Sequence, residues 1–298
     1  MNLQKLATNP PAIKALVGLS WQEFTALVPV FTQSLHEIQA NRIGRLRGIG
    51  GGRKGKLPDA SSKLLFVLFY LKVYPTFDVR GILFDRDRGK CCRSVHNLSK
   101  VLEHALGRNL VLPQRKISSV EEFLQKFPEA KEVFLDGTER RVQRPKKPKS
   151  QSKTYSGKKK ANTRKNIVLT DSKKRILVLS PTKSGRRHDK RLSDKILLCE
   201  HIPESVLIAA DSGLQGIQLV HENTWLPIKG TKKKPLTVQQ KQDNMMLSHF
   251  RVCVEHAIGG MKRFHILTTT LRNKIGHFDD LVVLLGAGLW NYHLQQSS

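Results

Sequence analysis

Apolar residues recur through the first third of the chain at three- and four-residue steps, the period of helices with one buried face. Ile13, Leu16 and Val17 mark a first piece; Phe24, Leu27, Val28, Phe31 and Leu35 mark a second, with Ser20 placed to cap it. From Ser61 the apolar density rises. Leu64, Leu65, Val67, Leu68 and Leu71 predict a buried helix that stops before Pro75, Phe77 to Phe84 a short one, and Cys91 to Leu106 a third. Another helix is expected between Lys116 and Phe127, starting after Ser118 or Ser119.

Beyond residue 130 the pattern changes to short apolar runs. Val133-Phe134-Leu135 ends on Asp136-Gly137, and Val206 to Ala210 ends on Asp211-Ser212-Gly213. Such runs read as strands buried on both faces, and a carboxylate at a strand's C-terminal end projects into the crevice where open α/β sheets bind ligands. Asp136 and Asp211 are therefore candidate metal ligands, although either alone reads more readily as a turn or cap residue. Asn166–Thr170 and Arg175–Leu179 predict a hairpin across Asp171 to Lys174, which gives Asp171 a structural turn role. His188-Asp189 opens a helix running to about His201. Asp189 either caps it, the safer reading, or sits with His188 near a reacting phosphate. Trp225 to Pro227 reads as one more short strand.

Met246, Phe250, Cys253, Ala257, Met261 and Phe264 form an apolar stripe on a long helix. Glu255 falls opposite that stripe, with Arg251 and Lys262 on the same side. Alone, this is a solvated face of paired charges; together with two strand-end aspartates it supplies a third acid. A final helix from Gly276 to Leu294 carries Leu281, Leu284, Leu285 and Leu289 and is expected to pack on the sheet.

Charge narrows the partner. Lys plus Arg number 52 against 24 Asp plus Glu, a net charge of +28, which calls for a polyanion, nucleic acid first. A structural nucleic-acid binder has the same balance, so charge alone does not make an enzyme. Residues Arg140 to Lys165 hold 12 basic side chains in 26 positions and no acid. Too charged to pack as core, this run reads as a DNA-contacting arm carrying Lys158, Lys159, Lys160 and Arg164, with Tyr155 able to stack on a base or sugar; the alternative is a solubilising loop. Gly50 to Lys56 approaches a phosphate-binding loop, but Leu57 stands where Ser or Thr should bind Mg²⁺ and no strand precedes it. It reads instead as a basic linker whose Arg53 and Lys54 touch phosphates. The three helices after Ser61, joined by short turns, predict a helix-turn-helix with Lys90, Arg93, Ser94, His96, Asn97 and Lys100 on the recognition helix; a plain helical bundle is an equal reading. Cys91, Cys92, Cys199 and Cys253 have neither metal-site nor disulfide spacing. No leader-like segment or long apolar run occurs, so a soluble, intracellular protein with no membrane partner is expected.

Five stretches in this order resemble a known family: Leu135-Asp136-Gly137-Thr138-Glu139, Tyr155-Ser156-Gly157-Lys158-Lys159-Lys160, Gly185 to Asp189, Ala210-Asp211-Ser212-Gly213-Leu214-Gln215-Gly216, and Val254-Glu255-His256 with Lys262 seven residues after the acid. They resemble the DDE transposases of bacterial insertion sequences, in the group related to insertion sequence five and the eukaryotic Harbinger elements. Asn162 stands where members of that family tend to have His.

The resemblance implies an α/β fold with an RNase H-like mixed-sheet catalytic domain behind an all-α, helix-turn-helix-type N-terminal domain. The expected divisions are N-terminal helices over 1–47, a Gly/Lys/Arg-rich linker over 48–60, a helix-turn-helix-like domain over 61–112, a linker helix over 113–130 and the catalytic domain over 131–298. It implies hydrolysis at the ends of an element and transfer of the freed 3′-OH into target DNA. Asp136, Asp211 and Glu255 would hold two Mg²⁺ ions, with Mn²⁺ as a substitute, because such paired ions clamp the attacking and leaving oxygens and prefer oxygen ligands. Lys262 and, more weakly, Arg251 would hold a phosphate. The implied partners are double-stranded DNA at element ends and target, and further copies of the chain. The implied location is the bacterial cytoplasm at the nucleoid, or the nucleus of a eukaryotic host. A nuclease that only hydrolyses and a non-catalytic DNA-binding derivative are the alternatives.

Overall fold

The structure, a computed structural model, describes residues 6–41 and 55–297. The basic linker residues Arg53 and Lys54 lie outside the described residues. The chain divides into a helical unit, 1–112 with 261–269 and 275–298, and a sheet unit, 113–260 with 270–274.

The helical unit is built from strongly capped helices. Helix α1 (Pro10–Val17) starts on Asn9, whose side chain accepts from Ala12 N–H. Helix α2 (Trp21–Ala40) starts on a reciprocal capping box, Ser20 Oγ accepting from Glu23 N–H and the Glu23 carboxylate from Ser20 N–H. Helices α3 (Ala60–Val73), α4 (Phe77–Phe84) and α5 (Arg88–Arg108) start on Asp59, Thr76 and Asp87. Capped by Asp87, α5 begins at Arg88, three residues ahead of the expected start at Cys91, so Lys90 lies in the first turn. Leu64 to Leu71 are buried all round α3, which makes it the centre of this unit.

The last helix, α10 (Phe278–Ser297), corrects one expectation. It belongs to the helical unit and not to the sheet. Val282 to Leu289 are buried, Asn291 Nδ2 donates to Val111 O at 2.9 Å and Tyr292 Oη to Glu23 O at 3.0 Å. A helix apolar on nearly every side needs neighbours all round, which helices supply and one sheet face does not.

In the sheet unit, seven strands form one mixed sheet. Strand β1 (Glu132–Arg141) is central. On one side it runs antiparallel to β3 (Ala161–Asp171), and on the other parallel to β6 (Leu207–Ala210), which is parallel in turn to β7 (Thr224–Trp225). Strand β3 also carries β2 (Tyr155–Ser156), β4 (Ile176–Leu179) and β5 (Lys183–Ser184), all antiparallel. Three antiparallel strands followed by parallel ones, with helices alongside, make an RNase H-like sheet. Helix α6 (Val120–Lys126), capped by Ser119, covers it. Val133, Leu135, Ile167, Leu169, Phe123, Ile208 and Ala210 share one apolar core.

Two further corrections concern this unit. The basic run from Arg140 to Lys165, expected to be too charged to pack and, in the alternative, a solubilising loop, is structured: it closes β1, forms helix α7 (Pro148–Thr154) and opens β3. Arg140 and Lys165 are buried there because both find partners, Arg140 Nη2 donating to Asn166 Oδ1 at 2.7 Å. On helix α9 (Val238–Lys262) the predicted stripe holds at Ala257 and Met261, and at Phe264 just beyond the helix, all buried, but in the first half Leu247 and Val254 are buried while Met246 is exposed and Phe250 only partly covered, its ring against Phe134 and Trp225. Steps of seven, four and three are as helical as the predicted ones, and tertiary contact selects between the two adjoining stripes.

Candidate active site

Leu135 of β1 and Ala210 of β6 are register partners in the parallel pair. Asp211 follows the last residue of β6, but β1 does not stop on Asp136 as expected: it runs on through Asp136 to Arg141, paired with β3. The two aspartates still occupy adjacent positions on neighbouring parallel strands, whose backbones lie about 4.8 Å apart. Each turns back on the next peptide: Asp136 Oδ1 accepts from Gly137 N–H and Asp211 Oδ1 from Ser212 N–H, both at 2.7 Å. Asp171 is excluded from this end, for it pairs with Val133 at the other end of β1 and accepts from Arg175 N–H at 2.8 Å to close its hairpin.

A third carboxylate joins from α8 (Asp189–Lys195). His188 occupies the cap position without a side-chain cap bond, and Asp189 is the first helical residue, so the capping reading of Asp189 is corrected. Its carboxylate fills the space left by two glycines. A Cβ on Gly137 would lie 2.5 Å from Asp189 Oδ1 and 2.8 Å from Cγ, and one on Gly213 would lie 3.4 Å from Oδ2. Buried Lys165 Nζ stands 3.1 Å from Asp189 Oδ1 and 4.0 Å from Glu139, and donates to Arg187 O at 3.0 Å. The ion pair lacks hydrogen-bond geometry, which leaves Asp189 Oδ1 a buried acceptor with capacity to spare.

A second cation faces Asp136 and Asp211. Arg251 Nη1 of α9 is 3.4 Å from Asp211 Oδ1. Burial pushes the Asp136 carboxyl above the usual range; the Gly137 N–H and Arg251 oppose the rise, while Asp211 and Asp189 add to it. The strand ends thus carry more negative charge than the protein neutralises.

That excess and the all-oxygen donor set suit a hard divalent cation. Asp136 and Asp211 fit it. Glu255 is not gathered with them: it is exposed, one turn beyond Arg251 on α9. Among the described residues, no three His, Cys, Asp or Glu side chains converge closely enough to hold a metal ion by themselves.

Of the other expected residues, Lys90 and Arg93 are exposed on α5 and Lys262 ends α9 in the helical unit. Lys158, Lys159 and Lys160 form the exposed turn between β2 and β3, Tyr155 lies half exposed on β2, and Arg164 pairs with Ser184 across β3 and β5. Lys165 and Glu139 were missed by the sequence reading. A lysine inside a basic run looks like one more DNA contact until its burial is known. The glycines that follow Asp136 and Asp211 were the readable sign that something packs against both strand ends.

The family described as DDE superfamily endonuclease matches residues 135–291, which include both strand-end aspartates and Glu255. A curated relative, described as a probable transposase for insertion sequence element IS702 from Microchaete diplosiphon, is 31% identical over 281 residues, 94% of each chain. No solved structure matches the chain. Among the described residues, no helix is long and apolar enough to cross a membrane.

Proposed function

Given that this chain belongs to the DDE superfamily of endonucleases, we propose that it is a transposase that cuts the ends of an insertion element and joins the freed 3′-OH to target DNA. The carrying observation is the juxtaposition of Asp136 and Asp211, each next after the last register pair of the parallel strands β1 and β6, facing Arg251. In this reading Asp136 and Asp211 would hold divalent ions, Mg²⁺ or Mn²⁺. Glu255 would complete the set from α9, as its place one turn after Arg251 supports. When bound, such ions supply charge to the attacking and leaving oxygens of an in-line displacement at phosphorus.

The chain's own residues do the rest. Asp189, held by Lys165 between Gly137 and Gly213, fixes the two strand ends at a constant separation. Arg251 neutralises Asp211 before a cation arrives and afterwards faces phosphate, with which a guanidinium pairs as readily as with carboxylate. Water displaces the 3′-oxygen at the element end; that 3′-OH then displaces a target 3′-oxygen at a second phosphorus, exchanging one phosphodiester for another without a covalent enzyme intermediate. The helical unit, with Lys90 and Arg93 exposed on α5, would hold the element end. The +28 charge supports DNA as the partner, and two ends to be joined favour an assembly of several copies.

The test is incubation of the full-length protein and Mg²⁺ with labelled duplexes carrying the element's terminal sequences and an unlabelled plasmid. Labelled ends covalently joined to plasmid support transposition. Cleavage without joined product would leave a nuclease, and the absence of both would remove the reading.

A further inference from the structure

Away from the carboxylates, the far end of the β1–β3 ribbon holds a cavity of about 790 Å³ that brings Tyr155 and Lys160 of the basic run together with residues from other segments. Arg141 and Arg144, at and just beyond the end of β1, line it with Lys160 from the β2–β3 turn and Arg186 from the segment after β5; no carboxylate does. Tyr155, 47% exposed, forms part of the wall. Among the described residues no acidic side chain pairs with Arg141, Lys160 or Arg186. Four cations from three chain segments, uncompensated around one concavity, repel each other and are tolerated where an anion visits.

The wall is built in advance. Asn162 Nδ2 donates to Thr154 Oγ1 at 2.8 Å and to Gln151 O at 3.0 Å, and Arg144 Nη2 donates to Gln151 Oε1 at 2.8 Å. These bonds pin α7 to β3 so that the cavity keeps its shape when empty.

We propose that this cavity binds a single unpaired nucleotide of the DNA, its base stacked on Tyr155 and its phosphates held by Arg141, Lys160 and Arg186. Three observations favour that ligand over duplex backbone. The volume is that of a pocket for a small organic molecule, more than one phosphate needs. An exposed aromatic ring among cations is how proteins hold unstacked bases without reading sequence. Finally, Arg141 is five residues from Asp136 on β1, and period-two alternation sends their side chains from opposite faces of the strand. Duplex lying over the carboxylates therefore does not run straight across the cavity, whereas a separated strand can turn the ribbon's edge. The span is about 16 Å along the strand at about 3.3 Å per residue, which a separated strand, longer per nucleotide than the stacked duplex, covers in a few nucleotides. The inference rests on the DNA-processing reading and adds to it a place for single strand a few nucleotides from the scissile phosphate.

The test needs no catalysis. Binding of full-length protein, without divalent metal, is measured by fluorescence anisotropy on a blunt duplex and on the same duplex with a five-nucleotide single-stranded extension of either polarity. The extension of one polarity should tighten binding about ten-fold, the scale of one stacked base. Tyr155→Ala should abolish that gain and leave blunt-duplex affinity unchanged, Tyr155→Phe should keep it, and Arg186→Ala should reduce it. Equal affinity for blunt and both extended duplexes overturns the proposal while leaving the transposase reading standing. So does a Tyr155→Ala loss of equal size on all three, which is a fold or duplex effect. Failure to bind any of them overturns the DNA-processing reading as well.

Discussion

Arg251 Nη1 lies 3.4 Å from Asp211 Oδ1, so the helix that bears Glu255 touches the strand end that bears Asp211 through a cation. This guanidinium is the only positive group shown acting on both aspartates among the described residues. Replacing it separates two effects. Arg251→Gln should lower the melting temperature of metal-free protein by a few degrees, because a half-buried carboxylate that loses its partner costs about 1–2 kcal/mol. Added Mg²⁺ or Mn²⁺ should then raise the melting temperature more in the variant than in the parent, by linkage of binding to stability. An identical metal-induced shift in both would separate Arg251 from the metal site.

Gly137 has no room for a side chain. A methyl there meets Asp189 Oδ1 at 2.5 Å, whereas one at Gly213 meets Oδ2 at an ordinary 3.4 Å. Gly137→Ala should therefore displace the Asp189 carboxylate and slow cleavage about 10- to 100-fold, the usual cost of disturbing a group that orients metal ligands. Gly213→Ala should stay within about three-fold of the parent. Rates on one labelled end duplex, with circular dichroism to verify folding, decide it; equal loss in both variants would deny Asp189 its positioning role.

Much of this architecture was readable in advance. Ser20 announced its helix because a cap and its reciprocal Glu23 are local, and the end of β6 before Asp211 was visible because an apolar run stopping on Asp and a small residue is local too; the same pattern at Asp136 did not end β1, whose polar continuation to Arg141 is held by pairing with β3. What failed needed neighbours. The face of α9 was read correctly at Ala257, Met261 and Phe264, which are buried, and wrongly in its first half, where Leu247 and Val254 are buried in place of Met246, Phe250 and Cys253; both sets share one period, and only packing chooses. Placement of α10 on the sheet failed for the same reason. Lys165 was hidden in a run of cations, where nothing in the sequence marks the one that meets Glu139 and Asp189. Glu255 lies on the expected side of α9 without being drawn to the aspartates.

A pH signature is built into the helical unit. Burial alone would raise the Glu23 carboxyl, but hydrogen bonds with His293 and Ser20 N–H, and nearby Arg263, outweigh it and hold the group below the usual range. A carboxyl with a depressed folded-state pKa contributes stability that is present above its unfolded value, about 4.3, and is lost as pH falls through the folded value. Glu23→Gln keeps a capping-box residue but loses the charge. It should destabilise the protein by about 1–2 kcal/mol at pH 7, with the difference narrowing below about pH 4. Urea unfolding across that range reads it directly, and a gap that widens in acid would reverse the assignment.

Arg80 is fully buried, its guanidinium 3.6 Å from the centre of the Phe66 ring, with Nε and Nη1 unpartnered; burial pushes it down to about 9. Since an unpaired buried charge is costly, Arg80→Met should fall within about 1 kcal/mol of the parent, while Arg80→Ala, which opens a cavity, should lose about 3 kcal/mol. Thermal melts of the two variants test the difference, and equal losses would assign the side chain's value to its charge.

The central claim is that Asp136 and Asp211 together hold the catalytic metal. The most direct measurement is Mg²⁺-dependent cleavage of a labelled element end by Asp136→Asn and Asp211→Asn, with Mn²⁺ binding and DNA binding measured on the same preparations. The account predicts that each variant loses Mn²⁺ binding and at least about 10³-fold in cleavage, while DNA binding stays within about three-fold. Parental cleavage by either variant would contradict it.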